Sequence, residues 1–195
     1  MSGVKISLRD EKSAITRRRI ADAARQLFAK HGYAATTLAA VANEAGVAVQ
    51  TVYAVYGSKA GILRVLRLAI VNQAEADDAY ERAVAARQSG DKLDLFARSV
   101  RLRWEAGHDI IAVHEDAARA DVSIRREAER VMAIRRDGIR RLAVTIGRSE
   151  DRAFALMDAL SLPAIYADLV EVHGWTPDEY EAWLGASLKR ALQRR

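Results

Sequence analysis

The chain has 195 residues, half of them hydrophobic, and it contains no cysteine. Its 31 Lys and Arg residues exceed its 26 Asp and Glu residues, which gives a formal net charge of +5. The lack of cysteine excludes disulfide scaffolds, zinc fingers and cysteine nucleophiles, and the composition is typical of a folded globular protein. No run of about 18 residues is free of charged side chains, which excludes a membrane span. The N-terminal residues contain no apolar segment of a secretory signal, and we therefore expect a cytoplasmic protein.

The positive charge is concentrated near the N-terminus. Residues 1–67 carry eleven basic and four acidic side chains, a local charge of +7, whereas residues 68–195 carry twenty basic and twenty-two acidic ones. A cationic segment joined to a nearly neutral remainder is expected where one part of a protein meets a polyanion. A solvated run of charge is the alternative interpretation.

Helix is predicted along nearly the whole chain, because Ala, Leu, Arg and Glu are abundant and only two prolines are present. The first helix is expected over residues 13–31, with Gly32 as its stop. A short helix runs from the N-cap Thr37 to Gly46, a third spans 49–55, and a long fourth helix is capped by Ser58. The later predicted helices span 93–106, 109–120, 123–146, 149–172 and 176–192, which makes about nine in all.

The last two predicted helices carry clear local signals. Pro163 falls inside the 149–172 helix and should kink or split it. Thr176, followed by Pro177, Asp178 and Glu179, forms a capping box with proline at the first helical position. We therefore expect the final helix to begin at Thr176.

The second and third helices predict a helix-turn-helix unit packed on the first helix. Their apolar residues should form a small core that fixes the crossing angle: Leu38, Val41, Ala42, Val47 and Val52. The opposite face of the third helix is then free to enter the major groove of DNA. That face is polar and aromatic, and it carries Gln50, Thr51, Tyr53 and Tyr56.

These residue types match the chemistry of a DNA duplex. A glutamine can pair with an adenine edge, a threonine with a phosphate or a thymine methyl group, and a tyrosine hydroxyl with a phosphate. Lys59 lies in the first turn of the next helix, where its charge and the helix amides can face a phosphate. We expect Thr37 to bind the opposite strand through its amide or hydroxyl.

A group of basic residues precedes or opens the first helix: Arg9, Lys12, Arg17, Arg18 and Arg19. They predict an arm for phosphates or the minor groove, in which Arg17 and Arg18 would contact DNA. A disordered basic leader is the alternative interpretation.

The segment from Arg17 to Leu63 resembles the N-terminal domain of the TetR family of transcriptional regulators. The resemblance is carried by the patterns I-x-x-A-A-x-x-L-F-x-x-x-G-Y, T-T-L-x-x-V-A-x-x-A-G-V and T-V-Y-x-x-Y-x-S-K. It implies an all-α, homodimeric, repressor-like regulator with a DNA-binding domain over 13–60. A larger helical domain over 61–195 would dimerise and bind a small effector. The family's base and phosphate contacts fall here on Thr37, Ala48, Gln50, Thr51, Tyr53, Tyr56 and Lys59.

Two positions depart from the family pattern. Ala48 stands where the family often has serine, so the oxygen that would cap the third helix is absent. Val55 and Tyr56 replace the frequent His-Phe pair, which removes one polar contact and adds a tyrosine hydroxyl. We expect these changes to alter the operator sequence and not the act of binding DNA.

The last two long helices are expected to pair with their symmetry mates in a four-helix bundle, as the family resemblance implies. Apolar residues of both helices would form this dimer interface: Phe154, Met157, Leu160, Ile165, Tyr180, Trp183, Leu184 and Leu188. Such pairing would set two reader helices about 34–36 Å apart, on one face of the DNA. An intrachain core is the alternative interpretation.

An effector pocket is expected among the middle helices, for a small hydrophobic or aromatic molecule. Its candidate residues are Phe96, Val100, Trp104, His108, Ile111, His114, Met132 and Trp175. For each of them a core or surface position is the alternative, since aromatic residues at helical spacing also form cores.

No catalytic motif, cofactor or metal site is predicted. A nucleophile elbow, a phosphate-binding glycine loop and a zincin motif are absent from the sequence. His114, Glu115 and Asp116 are consecutive, so they point to different faces of a helix and cannot close on one ion. The principal alternative to a DNA-binding regulator is a helical ligand-binding protein that has lost operator recognition.

Overall fold

The computed structural model describes residues 8–146 and 149–193, and every regular element in this part of the chain is helical. The elements are α1 (Leu8–Ala35), α2 (Leu38–Ala45), α3 (Val49–Tyr56), α4 (Lys59–Val71), α5 (Ala74–Ala85), α6 (Ser89–Ala120), α7 (Val122–Ala143), α8 (Glu150–Leu160), α9 (Pro163–Ala167), a π-helical segment (Asp168–Val172) and α10 (Pro177–Gln193). The predicted all-α class is confirmed, with ten α-helices among the described residues instead of about nine.

The lengths and hydropathies of the helices bear on whether any of them could span a membrane. Among residues 8–146 and 149–193, no single helix is both long and apolar enough to cross a bilayer. Two bent pairs, Leu38–Ala45 with Val49–Tyr56 and Glu150–Leu160 with Pro163–Val172, reach that length and composition only when each pair is taken together.

Several predicted helix ends are confirmed by their hydrogen bonds. The Thr37 hydroxyl accepts from the Ala40 amide at 3.1 Å at the start of α2. The Ser58 hydroxyl accepts from the Gly61 amide at 3.0 Å at the start of α4. These side chains satisfy amides that have no carbonyl partner in the first turn of a helix.

The capping box before α10 is also confirmed. The Thr176 amide donates to the Glu179 carboxylate at 2.7 Å, and the Glu179 amide donates to the Thr176 hydroxyl at 3.2 Å. These hydrogen bonds lower the pKa of Glu179, the backbone bond contributing most. Pro163 splits the predicted 149–172 helix into α8 and α9, as expected of a residue that cannot continue a helical hydrogen-bond ladder.

The helices differ from the predictions most clearly at α1, α5 and α6. α1 begins at Leu8 instead of residue 13. Its helix is interrupted at Gly32, which has φ 79°, and then continues to Ala35. Residues 74–85, for which no helix was predicted, form α5 after a break at Asn72. The predicted helices 93–106 and 109–120 are a single element, α6, bent at Gly107.

Two hydrophobic clusters form the interior of the part of the chain that the structure describes. The N-terminal cluster contains residues of α1 to α4, among them Ile20, Phe28, Val41, Val52 and Ile62, together with Ile110, Val113 and Ala117 of α6 and Ile124 of α7. The C-terminal cluster joins α5 to α10 around Leu93, Phe96, Trp104, Met157 and Tyr180. The N-terminal cluster thus extends past the predicted domain boundary between residues 60 and 61.

α4 approaches α6 closely at the bend in α6. A Cβ atom on Gly107 would lie 2.3 Å from Cγ1 of Ile70, whose side chain is buried in the N-terminal cluster. No larger residue fits there unless Ile70 moves. Gly107 therefore allows α4 and α6 to pack in contact.

We predict that Gly107→Ala lowers the free energy of unfolding by about 1–3 kcal/mol, because the added methyl group overlaps Ile70 in a packed core. Gly138→Ala is the matched control. Its Cβ would lie 3.8 Å from the Tyr80 hydroxyl, an ordinary contact, and we expect a gain of about 0.5–1 kcal/mol from helix propensity. Urea unfolding of both variants measures the difference, and equal stabilities would contradict the proposed close contact.

Candidate nucleic-acid interface

The unit formed by α2 and α3 has the geometry of a helix-turn-helix. The two helix axes are bent by 107° at a three-residue connection, within the range of about 90–120° for this motif. Val41, Ala42 and Val52 are buried between them and hold the angle. Gly46 ends α2 in the left-handed conformation, at φ 62°, with its amide bonded to the Asn43 carbonyl.

The outer face of α3 presents two of the predicted DNA contacts. Gln50 is exposed, Tyr53 is 54% exposed, and Thr51 is half-buried. Ala48 is the N-cap of α3 and is exposed, and no side-chain bond caps the helix there. Gln50 and Tyr53 therefore have the freest side chains for a base or a phosphate.

Tyr56 ties α3 to α1. Its hydroxyl donates to the Arg17 carbonyl at 2.8 Å, and the side chain is half-buried. Burial raises the pKa of Tyr56, partly opposed by the charge of Arg17. This hydroxyl proton is thus used within the protein, where a phosphate contact was predicted.

Lys59 is placed differently from the prediction. Its ammonium donates to the Tyr33 carbonyl at 2.6 Å and to the Thr36 carbonyl at 2.8 Å, and it lies 4.3 Å from the centre of the Tyr33 ring. It also reaches the Ala34 carbonyl at 3.3 Å. Burial lowers the pKa of Lys59. The ammonium caps the carboxyl end of α1 in this structure, since the last carbonyls of a helix lack amide partners.

The basic residues of α1 lie on an exposed helix. Residues 8–19 are helical, so this part of the basic segment is not a disordered leader, and residues 1–7 lie outside the described residues. Arg17 and Arg18 are exposed, and the Arg18 guanidinium lies 3.8 Å from the exposed Asp22 carboxylate. An exposed pair of this kind contributes little stability, which leaves Arg18 available to a phosphate.

We predict that Lys59→Met lowers the free energy of unfolding by about 1–3 kcal/mol, because three carbonyls lose a charged donor. It should leave the slope of log K for DNA against log salt concentration unchanged. Loss of a phosphate contact would instead reduce that slope by about 1. Lys30→Met, at an exposed site on α1, is the control for stability. A reduced slope for Lys59→Met would show that Lys59 leaves α1 to bind phosphate.

The predicted effector residues lie in several different surroundings in the structure. Phe96, Val100 and Trp104 are packed inside the C-terminal cluster, and the Trp104 indole donates to the Ser161 carbonyl at 3.0 Å. Ile111 packs against both clusters. Trp175 packs edge-on against Trp183, with ring centres 6.1 Å apart. Phe96, Val100 and Trp104 are therefore core residues in this structure, as in the alternative interpretation.

The two predicted histidines lie in different surroundings. His108 is half-buried, with Nδ1 2.8 Å from the Trp104 carbonyl and Nε2 2.6 Å from a Glu171 carboxylate oxygen. His114 is buried near Arg67 and Glu127. No group of three or more His, Asp or Glu side chains within the described ranges is arranged to hold a metal ion.

Met132 lines an open groove between α7 and α8 that sequence reasoning missed. The groove has a volume of about 680 Å³ and is lined by Glu129, Met132, Ala133, Arg136, Asp137, Arg140, Phe154 and Asp158. The Arg140 guanidinium lies 4.2 Å from the centre of the Phe154 ring. Glu129, Met132 and Arg136 recur at helical spacing along α7, which is the signal that could have indicated a shared face.

The predicted dimer interface is divided by the structure. Met157, Tyr180, Leu184 and Leu188 have no exposed surface within the single chain. These four side chains therefore pack in the intrachain core, as in the alternative interpretation, and the paired helical bundle stays a prediction. The other four, Phe154, Leu160, Ile165 and Trp183, are only partly buried and retain surface for a partner.

A family model described as bacterial regulatory proteins, tetR family, matches residues 20–66, the part of the chain that carries this helix-turn-helix. The chain belongs to the TetR family. It is thus a DNA-binding transcriptional regulator, and the TetR family is not one of enzymes. No curated protein matches the chain in sequence.

Solved structures show the same fold along nearly the whole length of this TetR-family chain. FadR from Bacillus subtilis, in complex with stearoyl-CoA, has a TM-score of 0.68 at 15% identity and covers 88% of this chain and 96% of its own. PfmR from Thermus thermophilus has a TM-score of 0.66 at 19% identity, with 91% and 100% covered. NalD, the secondary repressor of a multidrug efflux pump in Pseudomonas aeruginosa, has a TM-score of 0.65 at 23% identity, with 93% and 98% covered.

Proposed function

We propose that this regulator is a ligand-responsive repressor that acts in the bacterial cytoplasm. As a homodimer it binds a palindromic operator, and a small hydrophobic or aromatic effector releases it. The observation that carries the proposal is the exposed face of α3, on which Gln50 and Tyr53 are available while Val52 is anchored in the core. A rigid helix with a polar outer face is what the major groove admits.

The DNA-binding unit of the proposal comprises residues 13–60, and the effector-binding and dimerisation unit comprises residues 61–195. Base contacts are assigned to Gln50 and Thr51 and phosphate contacts to Tyr53, Arg17, Arg18 and the helix start at Thr37. Ala48 is small enough to let the start of α3 approach the DNA backbone. Lys59 and Tyr56 support these contacts through their bonds to α1.

The proposed dimer interface is formed by the exposed sides of α8 and α10. Pairs of small residues one turn apart, Ala155 with Ala159 and Ala182 with Ala186, lie on these sides and are exposed. Small residues at this spacing let helices approach closely, and the exposed parts of Leu160 and Trp183 would be covered at the same time. A two-fold axis through this surface would place two α3 helices on one duplex.

Effector release is assigned to α6, since this helix passes through both hydrophobic clusters. A ligand that inserts between α6 and its neighbours must repack α6, because the side chains on its buried face are enclosed by protein. Arg25 of α1 binds the Asp109 carboxylate of α6 through two hydrogen bonds, of 2.8 and 2.7 Å. Movement of α6 would thus reach the DNA-binding helices, and the ligand favours whichever state binds it more tightly.

We predict that Gln50→Ala combined with Tyr53→Ala abolishes sequence-specific binding to the regulator's own upstream region. Each lost base or phosphate contact should weaken the complex by about 1–3 kcal/mol while folding is retained, since both side chains are exposed. Fluorescence anisotropy with competitor DNA at two salt concentrations measures this loss. Gln88→Ala, at the exposed N-cap of α6, is the control. Unchanged affinity of the double variant would contradict the assignment of the reading face.

We predict that Ala186→Arg converts the dimer to a monomer at micromolar concentration, because it places a charged side chain in the proposed interface. The monomer should bind the operator far more weakly, since two half-sites are no longer bound together. Sedimentation velocity measures the mass. Ala85→Arg, at the exposed end of α5, is the matched control and should remain dimeric. A monomeric unsubstituted protein would refute the proposed pairing.

A further inference from the structure

A polar cluster lies where α4, α6 and α7 meet. It consists of Arg67 from α4, His114 from α6 and Glu127 from α7, with Arg64 one turn from Arg67. Arg67 is 3% exposed and His114 is 4% exposed, so both are enclosed by protein. Buried guanidinium groups are rare unless all their donors are bound. The hydrogen-bond partners of Arg67 therefore indicate what the cluster is built to hold.

The partners of Arg67 are incomplete. Nη2 donates to a Glu127 carboxylate oxygen in a short hydrogen bond. Nε and Nη1 are buried and, within residues 8–146 and 149–193, have no partner. These two nitrogens carry three of the five N–H groups of an arginine side chain. The cluster thus contains donors in excess of its acceptors.

The charges of the cluster are equally unbalanced. The two guanidinium groups of Arg64 and Arg67 share one carboxylate, that of Glu127, to which Arg64 Nε lies 3.5 Å away. Burial and the charge of Arg67 lower the pKa of His114, with Glu127 opposing, so the cluster disfavours a further positive charge on this imidazole. An acceptor with a negative charge would satisfy both the free donors and the excess positive charge.

We propose that the Arg67 cluster is an anion site that receives the carboxylate of an amphipathic effector. A carboxylate matches the planar donors of a guanidinium group better than a neutral oxygen does. The remainder of such a ligand must be apolar, because the same three helices contribute Ile70, Ile110, Val113 and Ile124 to the neighbouring N-terminal cluster. The inference rests on the proposed release by an effector, and it narrows the ligand to a hydrophobic monocarboxylic acid.

The position of Arg67 connects this site to the DNA-binding head. Arg67 belongs to α4, which begins directly after the turn that follows α3. Its bond to Glu127 holds α4 against α7. An incoming carboxylate competes with Glu127 for the same guanidinium, so ligand binding weakens the bond between α4 and α7. No group in the cluster changes its covalent structure.

The test compares acids with neutral molecules of the same shape. Octanoate is compared with octan-1-ol, and benzoate with benzyl alcohol, by calorimetric titration and thermal shift on the full-length protein. We expect at least one acid to bind. Its matched alcohol should bind with an affinity lower by about tenfold or more, since bonds to a charged group are lost. Equal affinity of each acid and its alcohol, or no binding by either acid, would overturn the proposal.

Substitutions of Arg67 and of Glu127 test the site, and we expect them to change the affinity for the acid in opposite directions. Arg67→Gln should abolish the preference for acid over alcohol. Glu127→Gln removes the competing carboxylate and should tighten acid binding by about tenfold, while lowering the melting temperature of the unliganded protein. Weaker acid binding by Glu127→Gln would show that the pair is only structural. Glu127→Gln retains the cation, so the test stands even if Arg67→Gln fails to fold.

Two further measurements separate this proposal from the function on which it rests. If a neutral compound releases the operator complex and no acid binds, effector release stands and the carboxylate site is refuted. If an acid binds with the expected dependence on Glu127 and the operator complex persists, the carboxylate site stands and release is refuted. Inorganic phosphate that binds in place of both acids would also refute an amphipathic ligand.

Discussion

The contact of Ile70 with Gly107 determines how the two parts of this regulator are joined. α4 leaves the helix-turn-helix and lies on α6 at the point where α6 bends, and the missing Cβ of Gly107 provides the space for Ile70. Because Ile70 is buried in the N-terminal cluster, the head and the C-terminal helices share one interior at this point. A change in the bend of α6 therefore cannot be confined to either part.

Polar contacts surround this apolar joint on two sides. Arg25 donates hydrogen bonds to the Asp109 carboxylate and to the Ala106 carbonyl, so it binds α6 on both sides of Gly107. Arg67 bonds α4 to Glu127 of α7. Apolar packing sets the distance between the helices, and directional bonds set their rotation about one another. Such a joint has few alternative arrangements, which is what a change between two defined states requires.

The sequence predicted best those features that depend on neighbouring residues. The caps at Thr37 and Ser58, the turn at Gly46 and the split at Pro163 each follow from local backbone chemistry, and all are present. Lys59 and Tyr56 were predicted less well, because their partners on α1, Tyr33 and Arg17, are 26 and 39 residues away in sequence. Apolar spacing identified the buried face of α10 but could not distinguish burial within the chain from burial in a dimer, as Leu184 and Leu188 illustrate.

The aromatic residues are distributed unequally between the two hydrophobic clusters. Trp104, Trp175 and Trp183 are the three tryptophans of the chain, and all of them lie in its C-terminal half, whereas the residues before α4 contain tyrosine and phenylalanine only. Trp104 is enclosed by protein, while Trp175 and Trp183 pack against each other near the end of the chain. The intrinsic tryptophan emission of the protein consequently originates wholly outside the DNA-binding head. A spectral change on adding operator DNA would be an optical signal of communication between the two parts, obtained without any label.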